Sequence, residues 1–76
     1  MTKTHDEQTS ELFGYMSEVA TIKHKISGGS RITRFDINRL KIISEQLPTL
    51  NLALNHYPEV KVPMFVDIKN LLLEQL

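Results

Sequence analysis

Among the residues of this chain able to act as metal ligand, general acid, base or nucleophile are three histidines, nine carboxylates and five serines. Their spacing decides what they can do. His5, His24 and His56 lie far apart, and no H-E-x-x-H sets two imidazoles on one helical face. His24 reads as a cation near a helix C-terminus and His56 as a polar residue near a turn. Asp36 and Glu45 share a helical segment, but nine residues turn through about 900° and leave them on opposite faces. No carboxylate pair of the glycosidase kind results. Ser10, Ser17, Ser27, Ser30 and Ser44 lack a G-x-S-x-G setting. With no cysteine, disulfides, thiolate metal sites and a thiol nucleophile are excluded. The expectation is a protein that is not an enzyme and takes no metal or cofactor.

One stretch, ISGGSRITRFDINRLKII, keeps a functional question open. Glycines beside a helix N-terminus let a phosphate approach backbone amides. Yet neither G-x-x-x-x-G-K-[ST] nor G-x-G-x-x-G is present, and a helical pattern, not a strand, precedes Gly28 and Gly29. A helix–helix hairpin loop accounts for the glycines and Ser30. What remains is cationic. Residues 23–41 carry Lys23, Lys25, Arg31, Arg34, Arg39 and Lys41 against Asp36 alone. The segment before them carries Lys3 against Asp6, Glu7, Glu11 and Glu18, and the segment after carries Lys61 and Lys69 against Glu45, Glu59, Asp67 and Glu74. A neutral chain is thus acidic, basic, then acidic. Arg31, Arg34, Arg39 and Lys41 are the candidate partner-binding residues, steering a protein with an acidic surface. Nucleic acid is the alternative partner, with the same cations tracking phosphates. The later segment TLNLALNHY has no Lys or Arg, which argues against a base-reading helix.

The elements that must position these residues follow from apolar spacing. Residues 1–9 read as a polar tail and residues 10–76 as one helical domain. Thr9 or Ser10 caps a first helix along Leu12, Met16, Val19, Ile22 or Lys23, and Ile26, widened by Phe13 and Ala20. Gly14 inside it costs about 1 kcal/mol relative to alanine, and Gly28 is the expected left-handed stop. A second helix opens at Thr33, where T-R-F-D resembles a capping box and Ile32 can staple to Ile37. Leu40, Ile43, Leu47, Leu50, Leu54 and Tyr57 then recur by threes and fours straight through Pro48. Two readings stand: a kinked helix over 34–57, or two helices broken near Gln46–Thr49. The unbroken phase favours the kink. HYPEVKVP reads as a connector with a short extended piece at Val60 and Val62, and Pro63 suits the first turn of a last helix. Along that helix Phe65, Ile68, Leu72 and Gln75 or Leu76 line one side, while Val66, Leu71 and Leu73 spread apolar character further. A chain this short buries only about 60% of its unfolded surface, so Phe65, Ile68 and Leu72 are expected to form a dimer interface.

The fold class is therefore all-α, a bundle of three helices, or four if Pro48 is a break, and a helical homodimer. The longest apolar run is the LLL of 71–73, far short of a membrane span. The polar, acidic start MTKTHDEQTSE is unlike a signal peptide, so a cytoplasmic location and no membrane partner are expected. Gly28 and Gly29, the Ile32-Thr33-Arg34 opening, and Ile37, Ile42, Ile43 and Leu47 resemble the middle of the small enterobacterial biofilm regulators of the YmgB/AriR type. That resemblance covers about a third of the chain; Pro48 and the proline-bounded connector depart from it. It implies a helical homodimer acting as a connector or regulator of signalling and gene expression, and carries over no functional residue. The expected function is non-catalytic regulation through protein–protein binding, as adaptor, connector or modulator of signalling or transcription.

Overall fold

The computed structural model describes residues 3–74. Helix α1 spans His5–Ser27, α2 Arg34–Gln46, α3 Asn51–His56 and α4 Pro58–Glu74, with a 3₁₀ turn at Leu47–Thr49. The described residues form an all-α bundle about 37 × 24 × 18 Å in extent, in which α1 packs chiefly on α3 and α2 on α4.

Helix α1 begins five residues earlier than the apolar spacing implied, and residues 5–9 are its first turns rather than a tail. The cause is a second capping signal, Thr4-His5-Asp6-Glu7. The Glu7 N–H donates to Thr4 Oγ1 at 3.2 Å and the Thr4 N–H donates to Glu7 Oε1 at 3.4 Å, a complete capping box with Asp6 and Glu7 complementing the macrodipole. Thr9 and Ser10 lie inside the helix. The extra turn carries Gln8 into the core. Its Oε1 accepts from the N–H groups of Leu52 at 2.9 Å and Ala53 at 3.3 Å, and its Nε2 donates to the Lys3 carbonyl at 3.2 Å. Helix α3 has no capping side chain at its own Leu50 N-cap, so Gln8 serves its first-turn amides, sharing the Leu52 N–H with Asn51 Oδ1 at 3.1 Å and accepting alone from Ala53.

Helix α1 closes in a Schellman motif. Gly29, with φ 82°, occupies the left-handed position expected for Gly28. The Gly29 N–H donates to Ile26 O at 3.0 Å and the Ser30 N–H to Lys25 O at 2.9 Å. No side chain packs closely on Gly14. Helix α2 opens with the expected box: the Asp36 N–H donates to Thr33 Oγ1 at 3.2 Å and the Thr33 N–H to Asp36 Oδ2 at 3.0 Å.

Pro48 breaks the second helix rather than kinking it. Its missing N–H and its ring, set against the carbonyl four residues back, stop α-helical propagation. The chain tightens into the 3₁₀ turn, Leu50 leaves the helical region at φ −92°, ψ 44°, and α3 starts anew. Leu47, Leu50 and Leu54 are all buried nonetheless. The unbroken phase belongs to the core they share, not to one continuous helix.

The expected connector is helical as well. Pro58 stands at the first position of α4, where its absent N–H costs nothing, and Pro63 lies within the helix. Val60 and Val62 are helical, with Val60 packed against the core. The last helix also buries the side that was assigned to a dimer. Ile68 is only 2% exposed and belongs to the core with Leu12, Val19, Leu40 and Ile43, and Phe65 and Leu72 pack against it. Four helices, the count expected if Pro48 is a break, gather around that side. Of the three residues assigned to a dimer interface, Ile68 is therefore interior to one molecule, while Phe65 and Leu72 are half-buried. Gln75 and Leu76 lie outside the described residues. The apolar residues that α4 leaves outside are Val62, Val66 and Leu73.

Candidate functional site

The loop between α1 and α2 is not a phosphate cradle. The amides of Gly28, Gly29 and Ser30 donate to the carbonyls of His24, Ile26 and Lys25 at 2.9, 3.0 and 2.9 Å. The groups an anion would need are already closing α1.

The six cations of residues 23–41 divide into two sets of three. Lys23 Nζ lies 3.0 Å from Asp67 Oδ2 and ties α1 to α4. Lys25 Nζ lies 3.2 Å from Asp36 Oδ2 and ties α1 to α2. Arg39 forms a fork with Glu18, Nε to Oε2 at 3.1 Å and Nη2 to Oε1 at 2.8 Å, and this carboxylate holds the guanidinium pKa above its ordinary value. Asp36 is held below its ordinary 3.8, first by the Thr33 backbone N–H and then by Lys25. Arg39, expected at a partner surface, is thus committed to the α1–α2 seam. Arg31, Arg34 and Lys41 are exposed and make no ion pair with the described residues.

Two of these cations, Arg34 and Lys41, border an apolar strip that sequence reasoning missed, and Arg31 lies in the loop just before it. Phe35 is 70% exposed and Ile42 43% exposed; seven residues apart, they stack along one side of α2. Arg34 and Lys41, also seven apart, form a parallel strip, with exposed Asn38 and Glu45 between. Phe35 overhangs a cleft of about 260 Å³ between α1 and α2, beside Glu18 and Arg39. The signal was available: in T-R-F-D the aspartate faces inward to complete the box, which forces the neighbouring phenylalanine off the core side. Arg34 occupies the first position of α2, where a cation opposes the macrodipole. It does nothing for the fold there.

A second concavity, about 520 Å³, lies between α1 and α4 and is floored by Met16, Val19, Val60 and Met64, with the Lys23–Asp67 pair at its rim. His5 and His56 come together across the α1–α3 seam with ring centroids 5.0 Å apart, and His56 packs edge-on to Tyr57 at 4.7 Å. Among the described residues no group of three or more His, Asp and Glu gathers to hold a metal ion, and no helix is long and apolar enough to cross a membrane. Comparison of the chain with family models, curated proteins and solved structures finds no match, so the arrangement on α2 stands on its own geometry.

Proposed function

We propose that this protein is a non-catalytic docking module, an adaptor or modulator of signalling or transcription, that holds an acidic protein surface on the outer face of α2. The observation that carries the reading is the division of the cations. Lys23, Lys25 and Arg39 join helices, whereas Arg31, Arg34 and Lys41 join none of the described residues, and Arg34 and Lys41 run beside exposed Phe35 and Ile42. Unpaired cations beside an exposed aromatic are the composition of a protein interface, the charges setting encounter rate and specificity and the apolar groups the buried contact. A connector role is also what the resemblance of residues 26–47 implies. Nucleic acid is the weaker partner for this face, because Glu45 lies in the strip and a single aromatic offers little stacking.

The test is quantitative affinity capture with the full chain, the Arg31→Glu/Arg34→Glu/Lys41→Glu variant and a Lys61→Glu/Lys69→Glu control. An acid-rich protein is expected to be retained by the parent and the control, released by the triple reversal, and eluted as salt rises beyond about 0.15 M. Equal retention by the triple variant overturns the assignment. Duplex DNA bound at about 50 mM salt and lost on triple reversal would transfer it to nucleic acid.

A further inference from the structure

The α2 face has a counterpart on the same molecule. Residues 34–42 read RFDINRLKI and residues 66–74 read VDIKNLLLE. In the first, Arg34 and Lys41 form a basic strip and Phe35 and Ile42 an apolar one, with Asn38 on the line between. In the second, Val66 and Leu73 form an apolar strip and Asp67 and Glu74 an acidic one, with Asn70 between. Both stretches are regular helix, the second lying beyond Pro63. Val66 is 47% and Leu73 54% exposed, Asp67 is half-buried, and Asn70 and Glu74 are exposed. Seven residues rise about 10.5 Å, so the strips have equal length.

The order within each strip pair matters. On α2 the charged residue precedes the apolar one; on α4 the apolar residue precedes the charged one. Two helices laid side by side and pointing the same way meet as mirror images, so this reversed order brings like strips together. A single register, centred on an offset of 32 residues, sets Phe35 near Val66 and Ile42 near Leu73 (offset 31) and Arg34 near Asp67 and Lys41 near Glu74 (offset 33). It also sets Asn38 opposite Asn70, a polar pair of the kind that fixes register between helices. Glu74 makes no ion pair with the described residues, and Asp67 uses Oδ2 for Lys23, leaving Oδ1 for a second cation. Antiparallel helices would instead set each charged strip against an apolar one.

Resting on the docking reading of α2, we propose that the partner of this face is the α4 face of a second copy of the chain. The match of five positions in charge, polarity and spacing selects this occupant. The interface joins unlike faces of two copies, a heterologous contact that closes into a ring or extends into a filament. It lies on the opposite side of α4 from Phe65, Ile68 and Leu72.

Sedimentation equilibrium of the full chain, up to about 1 mM to reach weak association, tests the proposal. A mass above the monomer is expected, falling as salt is raised. Lys41→Glu or Glu74→Lys alone is expected to weaken association at least about tenfold, and the Lys41→Glu/Glu74→Lys double variant to restore it to within about threefold. Lys41 and Glu74 are both exposed, and circular dichroism verifies that each variant is folded. A monomer at every concentration, or a double variant no tighter than the singles, overturns the proposal. Should the chain be monomeric while the triple reversal still releases a captured acidic protein, self-association falls and the docking assignment stands. If capture also ignores the triple reversal, both fall.

Discussion

The seams around α1 and the outer face of α2 draw on the same residue types and use them oppositely. In the seams, partnered polar side chains hold the fold together. Gln8 caps α3, Asp36 both caps α2 and receives Lys25, and Glu18 and Asp67 receive Arg39 and Lys23. On the outer face Arg31, Arg34 and Lys41 lack a partner among the described residues, and Phe35 has left the core. The difference teaches that cation content does not locate an interface in a small bundle. What locates it is the subset of cations that the fold leaves over, together with an apolar group that the fold declines to bury.

The largest expected break in this contrast is at Gln8. Gln8→Ala strips the buried Ala53 amide of its side-chain acceptor and leaves the Leu52 amide only Asn51 Oδ1, and chemical denaturation should show a loss of about 1–3 kcal/mol. Asp36→Ala comes next, removing a cap and a partly buried partner of Lys25, with about 0.5–2 kcal/mol expected. Asp36 also gives the seam a pH signature. Its folded pKa is depressed below its ordinary 3.8, so the unfolded chain binds more protons on acidification. The stabilisation is complete above the unfolded value and is lost as pH falls through the folded one. Stability of the parent should decline below about pH 4, and Asp36→Asn should flatten that decline.

On the outer face the effects shrink and one reverses sign. Arg34→Glu replaces a cation at the first position of α2 by the charge its dipole favours, so stability should rise by about 0.3–1 kcal/mol while docking is lost. Smallest of all, Phe35→Ala and Lys41→Glu should each leave thermal stability within about 0.5 kcal/mol of the parent while weakening association. A destabilised Phe35→Ala would show that this ring supports the fold and would erase the contrast.

Much of the core was legible because helical periodicity reports burial directly. Leu12, Val19, Ile22, Leu40, Ile43, Leu47, Leu50 and Leu54 were expected to face inward and are buried. The T-x-x-D opening of α2 and the glycine stop of α1 were legible too, since caps are local chemistry. The errors came where a local signal had two meanings. Thr4-x-x-Glu7 is as good a cap as Thr9 or Ser10, but no strong apolar residue follows it at once to mark a helix. Pro48 sits in unbroken phase, which a kinked helix and a broken one both satisfy. Pro58 and Pro63 each suit a first turn, and only the fold shows which one opens α4.

Helical class, the apolar residues of the core, the capping of α2 and the cationic character of residues 23–41 were determined by the sequence alone. Each depends on neighbours within about two turns, where geometry is set by the backbone itself. Tertiary structure decided which of six cations find carboxylates, because those partners lie 11 to 44 residues away. It likewise decided that Gln8 caps another helix, that Ile68 is interior, and that Phe35 is not. Burial is a property of what packs against a residue, and spacing along one helix does not say how many other elements arrive to cover it.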